Sequence, residues 1–273
     1  MPRSAFANTI ALHDFTRGEP DLKGWFEYVF AFFEKYGVIP TKGEVLGVNG
    51  TSLRNTVLFR TVRRNLEKNH FKGVEAIVVN ANPNFPEHRH DTFDVIFTAD
   101  FTCNSLKNGV TLCFDDLVVP WNSKLFKTLA RDLSCFFGAQ YGYAYQRPWV
   151  HGPWAYPYGT EAQSGRKNPV SEEESWRIAQ WGIKFNLSSK KYKTGDLRDI
   201  YPMNVLCDAH LKRVLSFEIG SATLEEWIRA NPIHGSLEAL SDTEPALTAW
   251  FVEPENIEAV RAALLPTGII LCL

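Results

Sequence analysis

The sequence predicts an α+β fold in which helices pack against a mainly antiparallel β-sheet. Helical and β-rich segments come in uneven blocks, whereas a parallel sheet requires regular alternation of strands and helices. Three β-rich segments follow one another at 74–81, 92–103 and 110–119, and the turn-forming stretches between them favour antiparallel neighbours. We expect a single domain over residues 1–273, with two smaller halves meeting near residue 138 as the alternative.

Helical periodicity indicates three helices in the N-terminal half. The first spans 21–36, carries a stripe of Trp and Phe, and ends before Gly37. The second is predicted over 52–69, because apolar residues recur there at helical spacing: Leu53, Val57, Val62 and Leu66. The third spans 123–137 and ends at Gly138.

The central β-rich segment has the alternation of a strand with one buried face. Apolar residues occupy every second position, with mainly polar residues between them: Phe93, Val95, Phe97, Ala99 and Phe101. This pattern predicts a sheet whose other face is more polar.

The C-terminal half continues with alternating elements. A polar loop is expected at 159–169, followed by a helix that begins at Ser171 and places three acids, Glu172, Glu173 and Glu174, in its first turn. Thr223 and Glu226 have capping-box spacing at the start of a short helix. The chain then predicts a strand, a helix and a final strand, at 247–252, 255–265 and 269–273.

The segment 141–158 holds seven aromatic rings, and its Gly and Pro residues exclude a long helix that would bury them. One interpretation is a surface built for contact, because Tyr and Trp are enriched at interface hot spots. The other is that Tyr141, Tyr143 and Tyr145 face a core from a strand while the remaining rings line a loop. Both interpretations can hold, each for one half of the segment.

Composition excludes several classes of function. Twenty-nine basic and 31 acidic residues give a net charge of −2, which does not favour direct binding of nucleic acid. No stretch reaches the length of a membrane span, and the N-terminus lacks a continuous apolar stretch before Asp14, so we expect a cytoplasmic protein without membrane contact. Five scattered cysteines predict reduced core thiols.

Signatures of catalysis are missing from the sequence. No dinucleotide-binding, phosphate-loop, nucleophile-elbow or His-Glu-x-x-His motif occurs. The segment 87–91 (EHRHD) resembles a metal site only weakly, and His151 has no partner that the sequence can name. Four acids lie on or near predicted strands, and we expect them to face solvent there and not to form a catalytic cluster: Asp94, Asp100, Asp115 and Asp116. We therefore expect no enzyme, no metal and no cofactor.

Several blocks resemble the Immunity protein 52 family of bacterial toxin–immunity systems. They are 197–211 (LRDIYPMNVLCDAHL), 223–228 (TLEEWI), 235–240 (GSLEAL) and 247–252 (LTAWFV), preceded by an aromatic block from 141 onwards. The resemblance implies a cytoplasmic antidote that binds a cognate antibacterial toxin and blocks its active site. The implied toxin is a type VI secretion effector with a restriction-endonuclease-like nuclease domain.

An inhibitor of a nuclease gains on-rate and specificity by offering carboxylates to a basic cleft. We therefore predict toxin contacts from acidic side chains and aromatic anchors: Asp115, Asp116, Glu172, Glu173, Glu174, Trp149, Trp154, Tyr156 and Tyr158. The residues of the block 198–204 are expected to lock a corner of the fold by hydrogen bonds. Two alternatives remain: a hydrolase acting on carbohydrate or nucleic acid, and a structural subunit that self-associates, for example as a homodimer.

Overall fold

A computed structural model describes residues 5–16, 18–47, 52–82, 95–103, 108–159, 171–187, 192–218, 220–241 and 246–271. The strands are β1 (Phe6–His13), β2 (Lys42–Gly47), β3 (Leu53–Leu58), β4 (Val74–Ala81), β5 (Phe97–Cys103), β6 (Asn108–Asp115), β7 (Tyr141–Pro148), β8 (Met203–Cys207), β9 (Val214–Ser216), β10 (Ser221–Thr223), β11 (Ser236–Ser241) and β12 (Leu247–Phe251). The helices are α1 (Leu22–Lys35), α2 (Phe59–Lys68), α3 (Ser123–Phe137), α4 (Glu172–Leu187), α5 (Asp208–Leu211), α6 (Leu224–Arg229) and α7 (Ile257–Leu264).

Ten strands form one sheet in the order β11-β12-β8-β7-β1-β6-β5-β4-β2-β3, and β9 pairs with β10 separately. Every pairing between these strands is antiparallel, so the predicted α+β class is confirmed. The first strand of the chain lies in the middle of the sheet. Through β6 on one side and β7 on the other, it joins the N-terminal and C-terminal strands.

The two faces of the sheet carry different layers. On one face, Trp25 of α1 and Phe126 of α3 pack with sheet residues such as Phe97 in the larger core cluster. On the other face, Tyr141 of β7 packs with Trp181 of α4 and with residues of α6 and α7. The aromatic segment and the C-terminal helices therefore meet on the same side of the sheet.

Helix boundaries follow the predicted signals at several points. The side chain of Asp21 caps α1 by accepting a hydrogen bond from the Gly24 N–H at 2.8 Å. Gly138 ends α3 with φ of 66°, in the left-handed region that favours glycine. Thr223 and Glu226 form the predicted capping box at α6.

The predicted helix over 52–69 is wrong in its first half, where the chain forms β3 and becomes helical only from Phe59. Leu53 and Val57 are four residues apart, and this spacing places two side chains on one side of a helix and also on one side of a strand. Pairing with β2 then selects the strand, because the ladder satisfies the backbone hydrogen bonds of this segment.

Two other predicted strands differ at their ends. The central segment forms β5 from Phe97 onwards, and its predicted start at 92–94 lies outside the described residues. The final strand is reduced to an isolated parallel bridge between Leu197 and Ile270.

Cys103, Cys113, Cys135 and Cys207 are free thiols, but Cys135 is exposed, so the predicted core position is wrong for that residue. Within the described ranges, no helix has both the length and the apolar character that a membrane crossing requires.

Candidate functional site

Strand β7 buries the first half of the aromatic segment. Tyr141, Tyr143 and Tyr145 project from alternate positions, and each is at most 5% exposed. The Tyr141 hydroxyl accepts a hydrogen bond from the Arg198 backbone N–H at 2.8 Å, and the Tyr145 hydroxyl donates to the Pro153 carbonyl at 2.6 Å. The interpretation that these rings face a core is confirmed.

The second half of the segment folds over the sheet in short 3₁₀ turns. Trp149 is only 2% exposed, and its indole N–H donates to Oδ2 of Asp115 at 3.2 Å. Both side chains lie inside the protein, so the prediction that they contact a partner is corrected: neither offers accessible surface. Their long-range hydrogen bond explains why an aromatic loop residue and a strand carboxylate share the interior.

The other predicted aromatic anchors are half-buried. The hydroxyls of Tyr156 and Tyr201 are 3.0 Å apart, and the Tyr158 hydroxyl donates to Oδ1 of Asp100. Trp154 packs against Trp149. These three anchors expose only part of their rings, and the structure gives each of them a packing role.

A buried arginine organises this side of the sheet. The guanidinium carbon of Arg198 lies 3.7 Å from the Trp181 ring centroid and 4.0 Å from the Tyr156 ring centroid, and the group donates to the Tyr143 hydroxyl at 2.5 Å. Arg198 is fully buried, and cation–π contacts of this kind hold both rings in place. Asn204 also donates to the Tyr201 carbonyl at 2.9 Å, which confirms that the block 198–204 locks a corner.

Next to this corner lies a cleft of about 480 Å³, within the size range of ligand pockets. Its walls include five aromatic side chains: Trp121, Tyr145, Tyr156, Tyr201 and Phe251. Five charged side chains also line it: Arg147, Glu174, Asp199, Glu253 and Arg261. The aromatic cleft, as we call this site, therefore brings together residues from β7, α4, α7 and the turns after β7 and β12.

Two ion pairs fix the walls of the aromatic cleft. Arg147, whose side chain is 7% exposed, donates through Nη1 to Glu174 at the start of α4, and its guanidinium carbon lies 4.6 Å from the Tyr156 ring centroid. Arg261 of α7 binds Asp199 in a bidentate manner, with distances of 2.6 and 3.1 Å. Burial opposes the charge of Arg261, but the carboxylates of Asp199 and Glu258 together outweigh this effect and raise the pKa of Arg261 above its ordinary value.

Helix α4 presents an exposed face beside the aromatic cleft. Ile178 and Trp181 form its buried side, whereas Trp176 and Ile183 are each 52% exposed and lie one heptad apart. Glu172 and Glu173 in the first turn are exposed too, and Glu174 turns towards the aromatic cleft. We call the exposed residues Glu172, Glu173, Trp176 and Ile183 the α4 face.

Sequence reasoning identified the acids of the α4 face but missed Trp176. A signal was present: Trp176 and Ile183 lie off the stripe formed by Ile178 and Trp181, so a helical projection separates them from the core side. The role of Arg147 was also missed, and no local signal could have shown it because its partner Glu174 is distant in sequence.

Burial favours the neutral forms of His13, of His210 and of the Cys207 thiol. Burial lowers the pKa of His13 to about 3 and that of His210 to about 4, and it raises the pKa of the Cys207 thiol. Cys207 Sγ and His210 Nδ1 are 3.2 Å apart, but a nucleophilic dyad requires a lowered thiol pKa. These groups therefore support the packing of the fold.

The remaining predicted polar residues are distributed over the fold. Asp116 accepts hydrogen bonds from Asn8 and from Gln146, which lines the aromatic cleft, at 2.7 and 3.1 Å. His151 is half-buried, and its carbonyl accepts from Arg147 at 3.2 Å. The segment 87–91 and Asp94 lie outside the described residues, and within the described part no group of three or more His, Cys, Asp or Glu residues is arranged to hold a metal ion.

Fold and site together define an α+β protein with a ten-stranded antiparallel sheet and an aromatic cleft beside an exposed helix. No protein-family model matches the chain, and no curated protein matches its sequence. Among solved structures, the fold is similar to that of the Pseudomonas aeruginosa T6SS protein PA0821, with a TM-score of 0.56 and 9% identity. The similarity covers 96% of this chain and 73% of that one, and at this identity it concerns the fold alone.

Proposed function

We propose that this chain is a cytoplasmic immunity protein associated with type VI secretion, which binds a cognate antibacterial toxin and occludes its active site. The observation that carries the proposal is the α4 face, where a half-exposed Trp lies next to two exposed carboxylates on a helix. Trp is one of the residue types most enriched at the hot spots of protein interfaces. The fold similarity to a T6SS protein supports the association with that system.

The charges of the α4 face favour a basic partner. Glu172 and Glu173 extend from the first helical turn, where the helix dipole stabilises them, and Glu173 pairs with Arg177 at 2.5 Å. A nuclease binds phosphates through a basic cleft, so exposed carboxylates would steer it towards this surface. The proposed toxin is therefore a nuclease, and the toxin contacts move from Trp149 and Asp115 to the α4 face.

The alternative functions use the same features differently. A hydrolase would place substrate against the rings of the aromatic cleft, but Glu174 and Asp199 are each engaged by an arginine there. A self-associating subunit would bury Trp176 against a second copy of the chain. Both alternatives predict behaviour that does not require a toxin.

The proposal is tested by co-expression with the product of the neighbouring gene, scored by survival of the host and by co-purification on one affinity tag. Survival together with a stable heterocomplex is the expected result. A toxic neighbour that this chain neither rescues nor binds would refute the proposal. Light scattering of the chain alone tests the self-associating alternative, because such a subunit is oligomeric without a partner.

A further inference from the structure

The charges of the aromatic cleft do not balance. Arg147 is matched by Glu174, and Arg261 is matched by Asp199. Glu253, at the rim, is exposed, and no ion pair between described side chains includes it. The cleft therefore has one carboxylate in excess and is unfavourable for a phosphate or another anion.

Apart from the charged groups and the polar side chains of Ser123 and Gln146, the walls of the aromatic cleft are formed mainly by aromatic rings and aliphatic side chains. Trp121 is held by Phe126 at a centroid distance of 4.3 Å, and Tyr156 is held by the guanidinium groups of Arg147 and Arg198. Phe251 lies at the end of β12, two residues before Glu253. An occupant that suits these walls has an apolar or aromatic part and, next to it, a positive charge that reaches Glu253.

We infer that the aromatic cleft binds a basic segment of the partner protein, with a Lys or Arg side chain at Glu253 and an adjacent apolar side chain between Trp121 and Phe251. This inference rests on the proposed function. A partner segment fits better than a free small molecule because Glu174 belongs to the cleft wall and also to the first turn of α4, so the cleft is continuous with the α4 face. The volume of about 480 Å³ accommodates one or two side chains, as expected for an anchor at a protein interface.

Matched dipeptides test the charge preference directly. N-acetyl-arginyl-phenylalaninamide is titrated to about 10 mM, which suffices for millimolar affinity, and the indole N–H of Trp121 is followed by NMR. N-acetyl-glutamyl-phenylalaninamide and inorganic phosphate serve as anionic probes. We expect the Trp121 signal to move with the basic peptide, and at least tenfold less with either anion at the same concentration. Equal shifts with both peptides, or no shift with the basic one, would overturn the inference.

The rim carboxylate is tested by substitution. Glu253→Gln is expected to lower the affinity for the basic dipeptide about 2- to 5-fold, the range for one solvent-accessible ion pair. The matched control is Glu255→Gln, because Glu255 is also exposed and lies in the adjacent turn but does not line the aromatic cleft. Equal affinities in the two variants would contradict the assignment of Glu253.

A second arm separates this inference from the proposed function. In the co-expression assay, Glu253→Lys is expected to weaken the complex with the toxin about tenfold or more, whereas Glu255→Lys leaves it unchanged. If wild type neutralises the toxin and both variants bind it equally, the inference is wrong and the proposed function stands. If wild type binds no toxin, the proposed function fails, and the inferred partner segment fails with it even if the dipeptide binds.

Discussion

The ion pair between Arg261 and Asp199 provides a quantitative test of the site. It joins α7 to the corner at 198–204, and the two side chains are only 16% and 9% exposed. Arg261→Ala would leave the buried Asp199 carboxylate without its counterion, although Oδ1 keeps the bond from the Ile200 N–H at 2.8 Å. Removing one partner of a buried ion pair lowers the free energy of unfolding by about 3–5 kcal/mol. Because Arg261 is partly exposed, we expect a loss at the lower end of this range, about 3 kcal/mol.

For a chain of this size, that loss corresponds to a fall in Tm of roughly 6–12 °C. The assay is urea unfolding followed by Trp fluorescence, combined with a double-mutant cycle that includes Asp199→Ala. Because the two residues share one interaction, the double variant should be about 2 kcal/mol more stable than the sum of the single losses predicts. The control is Arg229→Ala, which breaks the exposed pair with Glu225 at 2.9 Å and should cost about 0.5 kcal/mol or less. Additive losses, or equal losses in Arg261→Ala and Arg229→Ala, would refute the reasoning.

Two more predictions concern the interior. Trp149→Phe removes the indole donor to Asp115 and should lower the free energy of unfolding by about 1–2 kcal/mol, with toxin co-purification unchanged because this ring is 2% exposed; loss of co-purification in a folded variant would contradict the placement. Because burial depresses the folded-state pKa values of His13 and His210 to about 3 and about 4, the unfolded chain binds more protons below pH 6.5, and stability should fall as the pH drops from 6.5 towards 4. Burial raises the pKa of Asp14 to about 6, so this residue opposes part of the pH dependence of stability. His210→Gln should reduce the change in the free energy of unfolding by about 1 kcal/mol per pH unit, as measured by urea titrations at several pH values. An unchanged pH dependence in this variant would contradict the prediction.

Local patterns predicted the elements whose signals are short-range. The alternation around Phe97 and Phe101 identified β5, and the spacing of Thr223 and Glu226 identified the start of α6. Order within the sheet could not be predicted in this way. β1 lies between β6 and β7, and its pairing with Tyr141–Pro148 depends on contacts more than 120 residues apart in sequence.

The site was only partly predictable for a similar reason. Trp149 and Trp176 are both tryptophans with a charged residue within two positions in the sequence, Arg147 and Arg177, yet one is buried and the other half-exposed. Burial of Trp149 depends on Asp115, which comes from a distant strand. From the local sequence, Arg198 looks like a solvent-exposed charge in a Pro-containing turn. It is a buried cation because the fold places Trp181 and neighbouring side chains against it.

The central claim, a toxin-binding α4 face, is tested most directly by Trp176→Ala. The Trp176 side chain is 52% exposed, so about 130 Å² of its surface is available to a partner. Burying this area against the toxin would contribute about 3 kcal/mol to the binding free energy, which corresponds to roughly 100-fold in Kd. Stability should change by no more than about 0.5 kcal/mol. The control is Ile39→Ala, because Ile39 is 76% exposed and follows α1 on the opposite face of the sheet. Calorimetric titration with the purified toxin is predicted to show a large loss of affinity for Trp176→Ala and none for Ile39→Ala; equal affinity of both variants with wild type would contradict the account.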